Sequence, residues 1–132
     1  METIKEFVKK DKFAVHCGIE LLEVSQGRAR AKMHIEKHHV NGVGLVQGGA
    51  IFTLADLAFA AASNSHGTVA VAINASISFL KGATKGTLFA DAREVSINPK
   101  LASYNIDVTD DAGEIIAVFQ GMVYRKKDKI EG

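Results

Sequence analysis

The stretch NGVGLVQGGAIFTLADLAFAAASN, residues 41–64, determines the fold that we expect for this 132-residue chain. From Ala50 to Asn64 it is rich in alanine and leucine and contains neither glycine nor proline, which predicts a helix of about four turns. Apolar side chains surround nearly the whole helix, a pattern typical of a helix buried at the centre of a globular fold. Five glycines between Val40 and Leu80 keep every apolar run below the roughly 20 residues of a membrane-spanning helix.

Alternating hydrophobic and polar residues on both sides of this helix predict β-strands. They are expected near residues 19–25, 28–35, 69–79, 87–97, 101–109 and 115–124. In the third strand one face would carry Val69, Val71, Ile73, Ala75, Ile77 and Phe79, and the other Ala70, Ala72, Asn74, Ser76 and Ser78. A short amphipathic helix over 3–10 and a solvated tail over 125–132 complete a single domain, residues 1–132. This order predicts an α+β fold in which a curved antiparallel sheet of about five or six strands wraps one long central helix.

Composition and charge narrow the class of protein. Hydrophobic residues make up 47% and charged residues 23% of the chain, which excludes a disordered or fibrous protein. The net charge of +1 gives no reason to expect a nucleic-acid or membrane-surface partner. The single cysteine, Cys17, has no partner for an internal disulfide. The charged N-terminus METIKEFVKKDK lacks the apolar run of a signal peptide, so we expect a cytoplasmic protein.

Asp56 is the residue that a purely structural helix would not contain. It lies near the middle of the predicted helix, where Phe52, Thr53, Phe59 and Ala60 are its neighbours at three and four residues. A buried carboxylate is costly unless it is hydrogen-bonded or its pKa rises. Its position does not suit helix capping, so a functional role is favoured over a satisfied core aspartate. A polar helix face at a contact between subunits is the alternative.

Gly48 and Gly49 lie where the first N–H groups of the helix are unsatisfied. Glycine lets a ligand approach the backbone, and the positive end of a helix suits an oxyanion or a polarised carbonyl. Eight residues separate Gly48 from Asp56, or roughly 12 Å along the axis, which is too far for both to serve one small reacting centre. Two copies of the chain side by side would bring them together. Alternatively, the glycines only permit a tight loop.

The histidines do not form a convincing constellation. His34, His38 and His39 follow one another at a strand end, but no carboxylate or cysteine completes a ligand set, so no metal site is predicted. His16 and Cys17 are adjacent in sequence, where side chains usually point apart.

The combination from Asn41 through Gln47-Gly48-Gly49 to Asp56 resembles the hotdog-fold acyl-CoA thioesterases, and within them the phenylacetate-degradation (PaaI-like) branch. The resemblance extends from about Phe13 to Tyr124. It implies a hotdog fold, a catalytic site between two subunits, and dimers that pair into tetramers.

The resemblance also implies roles for individual residues. Asp56 would activate water as a general base or attack the thioester as a nucleophile, the Gly48 N–H would polarise the carbonyl, and Asn41 would orient water or the carboxylate. Gln47, beside Gly49, replaces the family's histidine and cannot titrate near neutral pH. No metal or cofactor is implied beyond the coenzyme A of the substrate.

Further substrate-binding candidates follow from the same resemblance. The strand after the helix offers two small polar residues, Asn74 and Ser76. Basic residues for the phosphates of coenzyme A are Lys81 and Lys85, with Arg93 behind them. The acyl pocket is expected among Phe52, Leu57 and Phe59, together with loops of the partner chain.

Three functions follow as hypotheses. The first is hydrolysis of an aryl- or medium-chain acyl-CoA. The second is a non-catalytic acyl-CoA or acyl-carrier binding module that lost its activity at Gln47, although a binding module has no need of a desolvated carboxylate such as Asp56. The third is a hydratase or dehydratase, which requires a dyad containing histidine, and His66 is the only histidine that follows Asp56.

Overall fold

A curved six-stranded sheet wraps one long helix in the computed structural model, which describes residues 1–132. Two short helices precede the first strands, and a 3-10 turn at Lys37–His39 leads toward the long helix. The elements in chain order are α1 (Glu2–Val8), α2 (Lys12–His16), β1 (Ile19–Ser25), β2 (Arg28–His34), α3 (Gly48–Asn64), β3 (Thr68–Phe79), β4 (Thr87–Ile97), β5 (Leu101–Thr109) and β6 (Ile115–Lys129).

The strand order is β1-β2-β4-β5-β6-β3, and every neighbouring pair is antiparallel. The strands β1, β4 and β5 have the bounds expected from the sequence. The predicted architecture, one central helix against an antiparallel sheet, is confirmed. Strand β3 follows α3 in the chain and pairs only with β6. It therefore lies at one edge of the sheet, and its outer side is unpaired.

The core lies between α3 and the concave face of the sheet. Phe59 on α3 is 1% exposed, and its ring packs 5.7 Å from the ring of Tyr104 on β5. A Cβ atom at Gly121 on β6 would lie 2.6 Å from the Phe59 ring, so glycine is what allows the helix to approach the sheet so closely. Alanines along the buried face of α3 have the same effect on the helix side.

A β-bulge interrupts β3 and changes which side chains share a face. The pairing with β6 shifts between Ala72 and Asn74, leaving Ile73 as the extra residue. Ala75 pairs with Gly121, on the face toward α3, whereas Val71 pairs with exposed Tyr124. The expectation that one face runs unbroken from residue 69 to 79 was therefore wrong, because a single inserted residue inverts the alternation.

Most of the segment expected to be a tail, residues 125–132, forms the end of strand β6, although residues 126–129 are exposed. Strand β6 continues to Lys129, and the side chain of Ile130 is only 9% exposed. The Ile130 N–H donates to the Gly67 carbonyl oxygen at 2.9 Å. The charged residues before Ile130 concealed this part of the strand, because its pairing partner, β3, is distant in sequence.

Helix α2 was not expected from the sequence. It has five residues, and its N-cap is Asp11, whose Oδ1 accepts a hydrogen bond from the Ala14 N–H at 3.0 Å. So short a helix carries almost no periodic signal, and its stability comes from the cap and from packing on β1 and α3. None of the helices is both long and apolar enough to cross a membrane.

Candidate active site

The N-terminus of α3 has one backbone N–H without an acceptor. The Gln47 N–H donates to the His39 carbonyl oxygen at 2.7 Å, and the Ala50 N–H donates to the Gln47 carbonyl oxygen at 2.9 Å. The Gln47 side chain accepts the Gly49 N–H at 2.6 Å. Of the four N–H groups that lie outside the helical hydrogen-bond pattern, only that of Gly48 has no partner within the chain. It is available to a ligand, at the positive end of the helix.

Gly48 lies in a groove of about 320 Å³ at this end of the sheet. Asn41 and Ile51 line one part of the groove, and Phe79 and Lys81 line another. The structure thus brings together three of the predicted site residues: Asn41, Gly48 and Lys81. A Cβ atom at Gly48 would lie 3.0 Å from the Phe79 ring, so a side chain at this position would crowd the groove.

Asn41 organises the loop that forms one wall of this groove. Its Oδ1 accepts hydrogen bonds from the N–H groups of Val43 at 3.0 Å and Leu45 at 3.1 Å. Its own N–H donates to the Leu45 carbonyl oxygen at 2.7 Å. The carboxamide oxygen is therefore occupied by the loop, and the side-chain NH₂ is the part of Asn41 that has no partner.

Asp56 is the ninth residue of α3 and is half-buried. Its carboxylate takes part in no hydrogen bond or ion pair within the chain. Burial raises the pKa of Asp56, and the nearby negative charge of Asp11 raises it further. A desolvated carboxylate with a raised pKa is suited to proton transfer.

One chain does not bring Gly48 and Asp56 to the same point. They are eight residues apart on a regular helix, or roughly 12 Å along its axis. Asp56 does not line the groove that contains Gly48. The separation expected from the sequence is therefore present in the fold.

The structure places the aromatic candidates largely in the core. Phe59 is buried against Tyr104 and Gly121, and Phe52 packs edge-on against Phe119 with ring centroids 5.1 Å apart. Leu57 is also buried, but it lines a separate cavity beside α1 and α2.

The polar and basic candidates are spread over the surface. Asn74 and Ser76 pair with Met122 and Gln120, on the sheet face turned away from α3. Lys81 lies 2.5 Å from Glu114, whereas Lys85 is exposed and has no ion-pair partner. Arg93 forms an ion pair with Asp107 at 3.5 Å on the outer face of the sheet.

Among the five histidines, His39 and His66 form hydrogen bonds within the fold. His39 is buried; its Nδ1 accepts the Glu36 N–H at 2.9 Å, and its Nε2 lies 2.7 Å from the Cys17 carbonyl oxygen. His66 Nε2 lies 2.7 Å from Oε1 of Glu94. No group of three or more His, Cys, Asp or Glu side chains is arranged to hold a metal ion.

One residue of this region was not singled out from the sequence: Asp11, which is close enough to raise the pKa of Asp56. Gln47, a candidate from the sequence, acts as the N-cap of α3. An aspartate immediately before the helix-forming residues Lys12–His16 is an N-cap signal that points to Asp11, but its proximity to Asp56 requires the fold.

Comparison with known proteins identifies the family. The sequence profile of the thioesterase superfamily matches residues 43–117, which contain Gly48, all of α3 and its Asp56. The chain belongs to the thioesterase superfamily. Its fold is the hotdog fold of these thioesterases, as the structural similarity to PaaI proteins shows.

Individual members of the thioesterase superfamily are similar over nearly the full length. A protein of Archaeoglobus fulgidus named "Putative esterase" is 42% identical over 95% of this chain and 82% of its own. The acyl-coenzyme A thioesterase PaaI of Escherichia coli is 33% identical over 94% of this chain and 89% of its own. The structure of E. coli PaaI superposes with a TM-score of 0.87, covering 96% of this chain and 98% of that one at 29% identity. A variant of PaaI from Thermus thermophilus superposes with a TM-score of 0.83 at 31% identity, covering 86% and 98%.

Proposed function

We propose that this thioesterase hydrolyses an aryl- or medium-chain acyl-CoA to the free acid and coenzyme A. The observation that carries the proposal is the unpartnered N–H of Gly48, held at the start of α3 by a cap that satisfies its neighbours. The similarity to the acyl-coenzyme A thioesterase PaaI supports the class of substrate.

The chemistry assigns one role to each group. The thioester carbonyl oxygen accepts a hydrogen bond from the Gly48 N–H, and the helix N-terminus stabilises the negative charge that develops there. Asp56 removes a proton from water, whose oxygen bonds to the carbonyl carbon as the C–S bond breaks, and the proton passes to the departing thiolate. In the alternative, the Asp56 carboxylate attacks the carbonyl carbon and expels the coenzyme A thiolate, which forms a mixed anhydride. Water then hydrolyses the anhydride to the free acid and the Asp56 carboxylate, and its proton passes to the thiolate.

Two copies of the chain are needed for this chemistry. The unpaired outer edge of β3 is twelve residues long and has exposed apolar residues such as Ile73, which is 54% exposed. Such an edge is a template for pairing, and a second copy of β3 is the partner that extends the sheet. The two α3 helices would then lie side by side, so that Gly48 of one chain faces Asp56 of the other. Exposed Leu101 and Tyr124, paired on the outer face of the sheet, offer a contact for joining two dimers.

The test is thiol release from a panel of acyl-CoA thioesters. Gly48→Pro removes the N–H at the first helical position, where proline is well tolerated and where Gln47 has the extended conformation that proline requires. Gly48→Ala is the matched control, because it adds the same Cβ against Phe79 but keeps the N–H. We expect Gly48→Pro to lower kcat about 10²–10³-fold relative to Gly48→Ala, and Asp56→Asn to abolish release.

The result also decides between catalysis and binding alone. If the wild-type protein binds acyl-CoA without releasing thiol, while Gln47→His releases it, the chain is a binding module that has lost its activity. If Gly48→Ala is active and Gly48→Pro releases thiol equally fast, the proposed role of the Gly48 N–H is wrong.

A further inference from the structure

The groove that contains Gly48 is held by contacts within the chain. Its volume of about 320 Å³ is at the lower end of the range of about 300–1,000 Å³ that is common for small-molecule sites. The Val46 N–H donates to the Ala83 carbonyl oxygen at 2.9 Å, which joins the loop before α3 to the segment after β3. The Leu45 side chain lies against Gly82, where an added Cβ atom would be 3.0 Å from Leu45 Cδ2.

The side chains of this groove are mostly apolar. Five of its nine lining residues are hydrophobic: Leu45, Val46, Ile51, Phe79 and Leu80. Phe79 is 52% exposed and Leu80 is 59% exposed, so an apolar group that covers them gains free energy from burial. Phe79 is the nearest of these side chains to Gly48, because the three atoms closest to an added Cβ at Gly48 all belong to the Phe79 ring.

The basic residue of the groove is neutralised by two carboxylates. Lys81 Nζ lies 2.5 Å from Glu114 Oε2 and 3.9 Å from Asp110 Oδ2. Two carboxylates beside one ammonium leave a net negative charge there, which opposes an incoming phosphate. Lys85, which has no ion-pair partner, does not line the groove. The charges around the groove therefore favour an uncharged group over the phosphates of coenzyme A.

The proposed chemistry brings a carbonyl to this groove. A carbonyl oxygen that accepts the Gly48 N–H lies about 2.9 Å from the nitrogen, and Gly48 itself lines the groove. The carbonyl carbon of a thioester has two substituents, the acyl group and the sulfur of coenzyme A. The arm that follows the sulfur contains two amides, which apolar walls would leave without hydrogen bonds. The acyl group is therefore the substituent that suits the groove.

We propose that the Gly48 groove receives the acyl group of the thioester, and that Phe79 and Leu45 are the side chains that set its selectivity. The inference rests on the proposed function, in which the Gly48 N–H binds the thioester carbonyl. It differs from the pocket expected from the sequence, because Phe59 is buried in the core. The ligand is an uncharged alkyl or aryl group whose size the groove limits.

Binding of S-(2-oxoalkyl)-CoA ketones tests this without requiring turnover, because these compounds keep a carbonyl but place a methylene between it and the sulfur. Isothermal titration calorimetry would compare S-(2-oxopropyl)-CoA, an analogue of the acetyl thioester, with S-(2-oxoheptyl)-CoA, an analogue of the hexanoyl thioester. The proteins are the wild type, Phe79→Ala and Phe89→Ala. Phe89 is the matched control, since it lies beneath Arg30 and does not line the groove.

The measured quantity is the tail-length ratio, the affinity for the longer ketone divided by the affinity for the shorter one. We expect a ratio of at least about ten for the wild-type protein, the gain that two buried methylenes produce. Phe79→Ala should lower the ratio at least about fivefold, because the tail loses apolar contact. Phe89→Ala should leave it within about twofold.

A second pair of variants protects the test against misfolding of Phe79→Ala. Leu45 lines the groove, whereas Val43 in the same loop is 79% exposed and does not. We expect Leu45→Ala to lower the tail-length ratio and Val43→Ala to leave it unchanged. Equal weakening of both ketones by Phe79→Ala and Leu45→Ala would assign the groove to the coenzyme A arm and overturn the proposal. A ratio that neither variant changes would also overturn it.

The proposed function and the groove assignment can fail separately. If the tail-length ratio depends on Phe79 and Leu45 but the wild-type protein releases no thiol from acyl-CoA, the groove assignment stands and the proposed function fails. If thiol is released while the ratio is the same in all variants, the proposed function stands and the groove assignment fails.

Discussion

The Gln47 side chain can cap the start of α3 because residue 49 is a glycine. The Gln47 Oε1 accepts the Gly49 N–H at 2.6 Å, and a Cβ atom at Gly49 would lie only 2.5 Å from that oxygen. Any side chain at Gly49 would displace the cap, and without the cap the Gly49 N–H would compete with that of Gly48 for a ligand. Gln47 therefore has a defined structural task.

Gly49→Ala is expected to lower stability by about 1 kcal/mol, the typical cost of losing an N-cap hydrogen bond. The measurement is urea unfolding of the purified protein. Gly42→Ala is the control, because nothing lies within 4 Å of its added Cβ. A loss of the same size in both variants would mean that glycine flexibility, and not the cap, is responsible.

Mixing two inactive variants tests the two-chain site. In a heterodimer of Gly48→Pro and Asp56→Asn, one of the two sites combines an intact Gly48 from one chain with an intact Asp56 from the other. Unfolding and refolding the equimolar mixture should restore about a quarter of the wild-type thiol release, since half of the dimers are mixed and each has one good site. Neither variant refolded alone should recover. A site contained within one chain would give no recovery in the mixture.

The edge strand β3 should control assembly. Ile73→Lys places a charge at the outer edge, which opposes pairing with a second copy. We expect a monomer by size-exclusion chromatography with light scattering, and loss of thiol release. Leu22→Lys, on the edge strand at the other side of the sheet, should leave the dimer intact. An active, dimeric Ile73→Lys protein would show that assembly does not use this edge.

The pH profile should report the charge of Asp11. Burial raises the pKa of Asp56, and Asp11 raises it further. Since Asp56 must be ionised to act, the rate falls as pH drops through this raised pKa. Asp11→Asn keeps the cap of α2 but removes the charge, so the acid limb of kcat/KM should move to lower pH. Asp107→Asn, on the outer face of the sheet, should leave the limb where it is.

Glu94 should contribute stability that depends on pH. Burial alone would raise its pKa, but hydrogen bonds from Tyr104 at 2.6 Å and His66 at 2.7 Å outweigh burial and hold the pKa of Glu94 below its ordinary value. A lowered pKa in the folded state stabilises the protein above the ordinary value of 4.5, and this contribution is lost as pH falls below it.

Glu94→Gln is therefore expected to cost about 1–3 kcal/mol at pH 7, with the difference from the wild-type protein shrinking as pH falls below about 4.5. Urea unfolding at several pH values provides the measurement. Glu20→Gln serves as the comparison, because the Glu20 side chain is largely exposed. A cost for Glu94→Gln that stays constant down to acidic pH would contradict the role of the charge.

Much of the fold could be predicted because its signals are local. The strands β1, β4 and β5 lie between clear turn signals, and β5 alternates along its whole length. The central helix combines strong propensity with an apolar circumference. The bulge at Ile73, the five-residue helix α2 and the burial of Ile130 were not predictable in this way. Each depends on contacts with residues distant in sequence, and those contacts override a weak or misleading local pattern.

For the site, the sequence by itself determined which groups are chemically unusual: a carboxylate within an apolar helix and glycines at the start of that helix. Their separation of eight residues followed from helix geometry alone. Only the tertiary structure decided that Gln47 leaves the Gly48 N–H as the free donor, that Asp11 lies near Asp56, and that Phe59 belongs to the core. The physical reason is that hydrogen-bond partners, electrostatic neighbours and cavities are properties of groups brought together by folding, and spacing along the chain does not specify them.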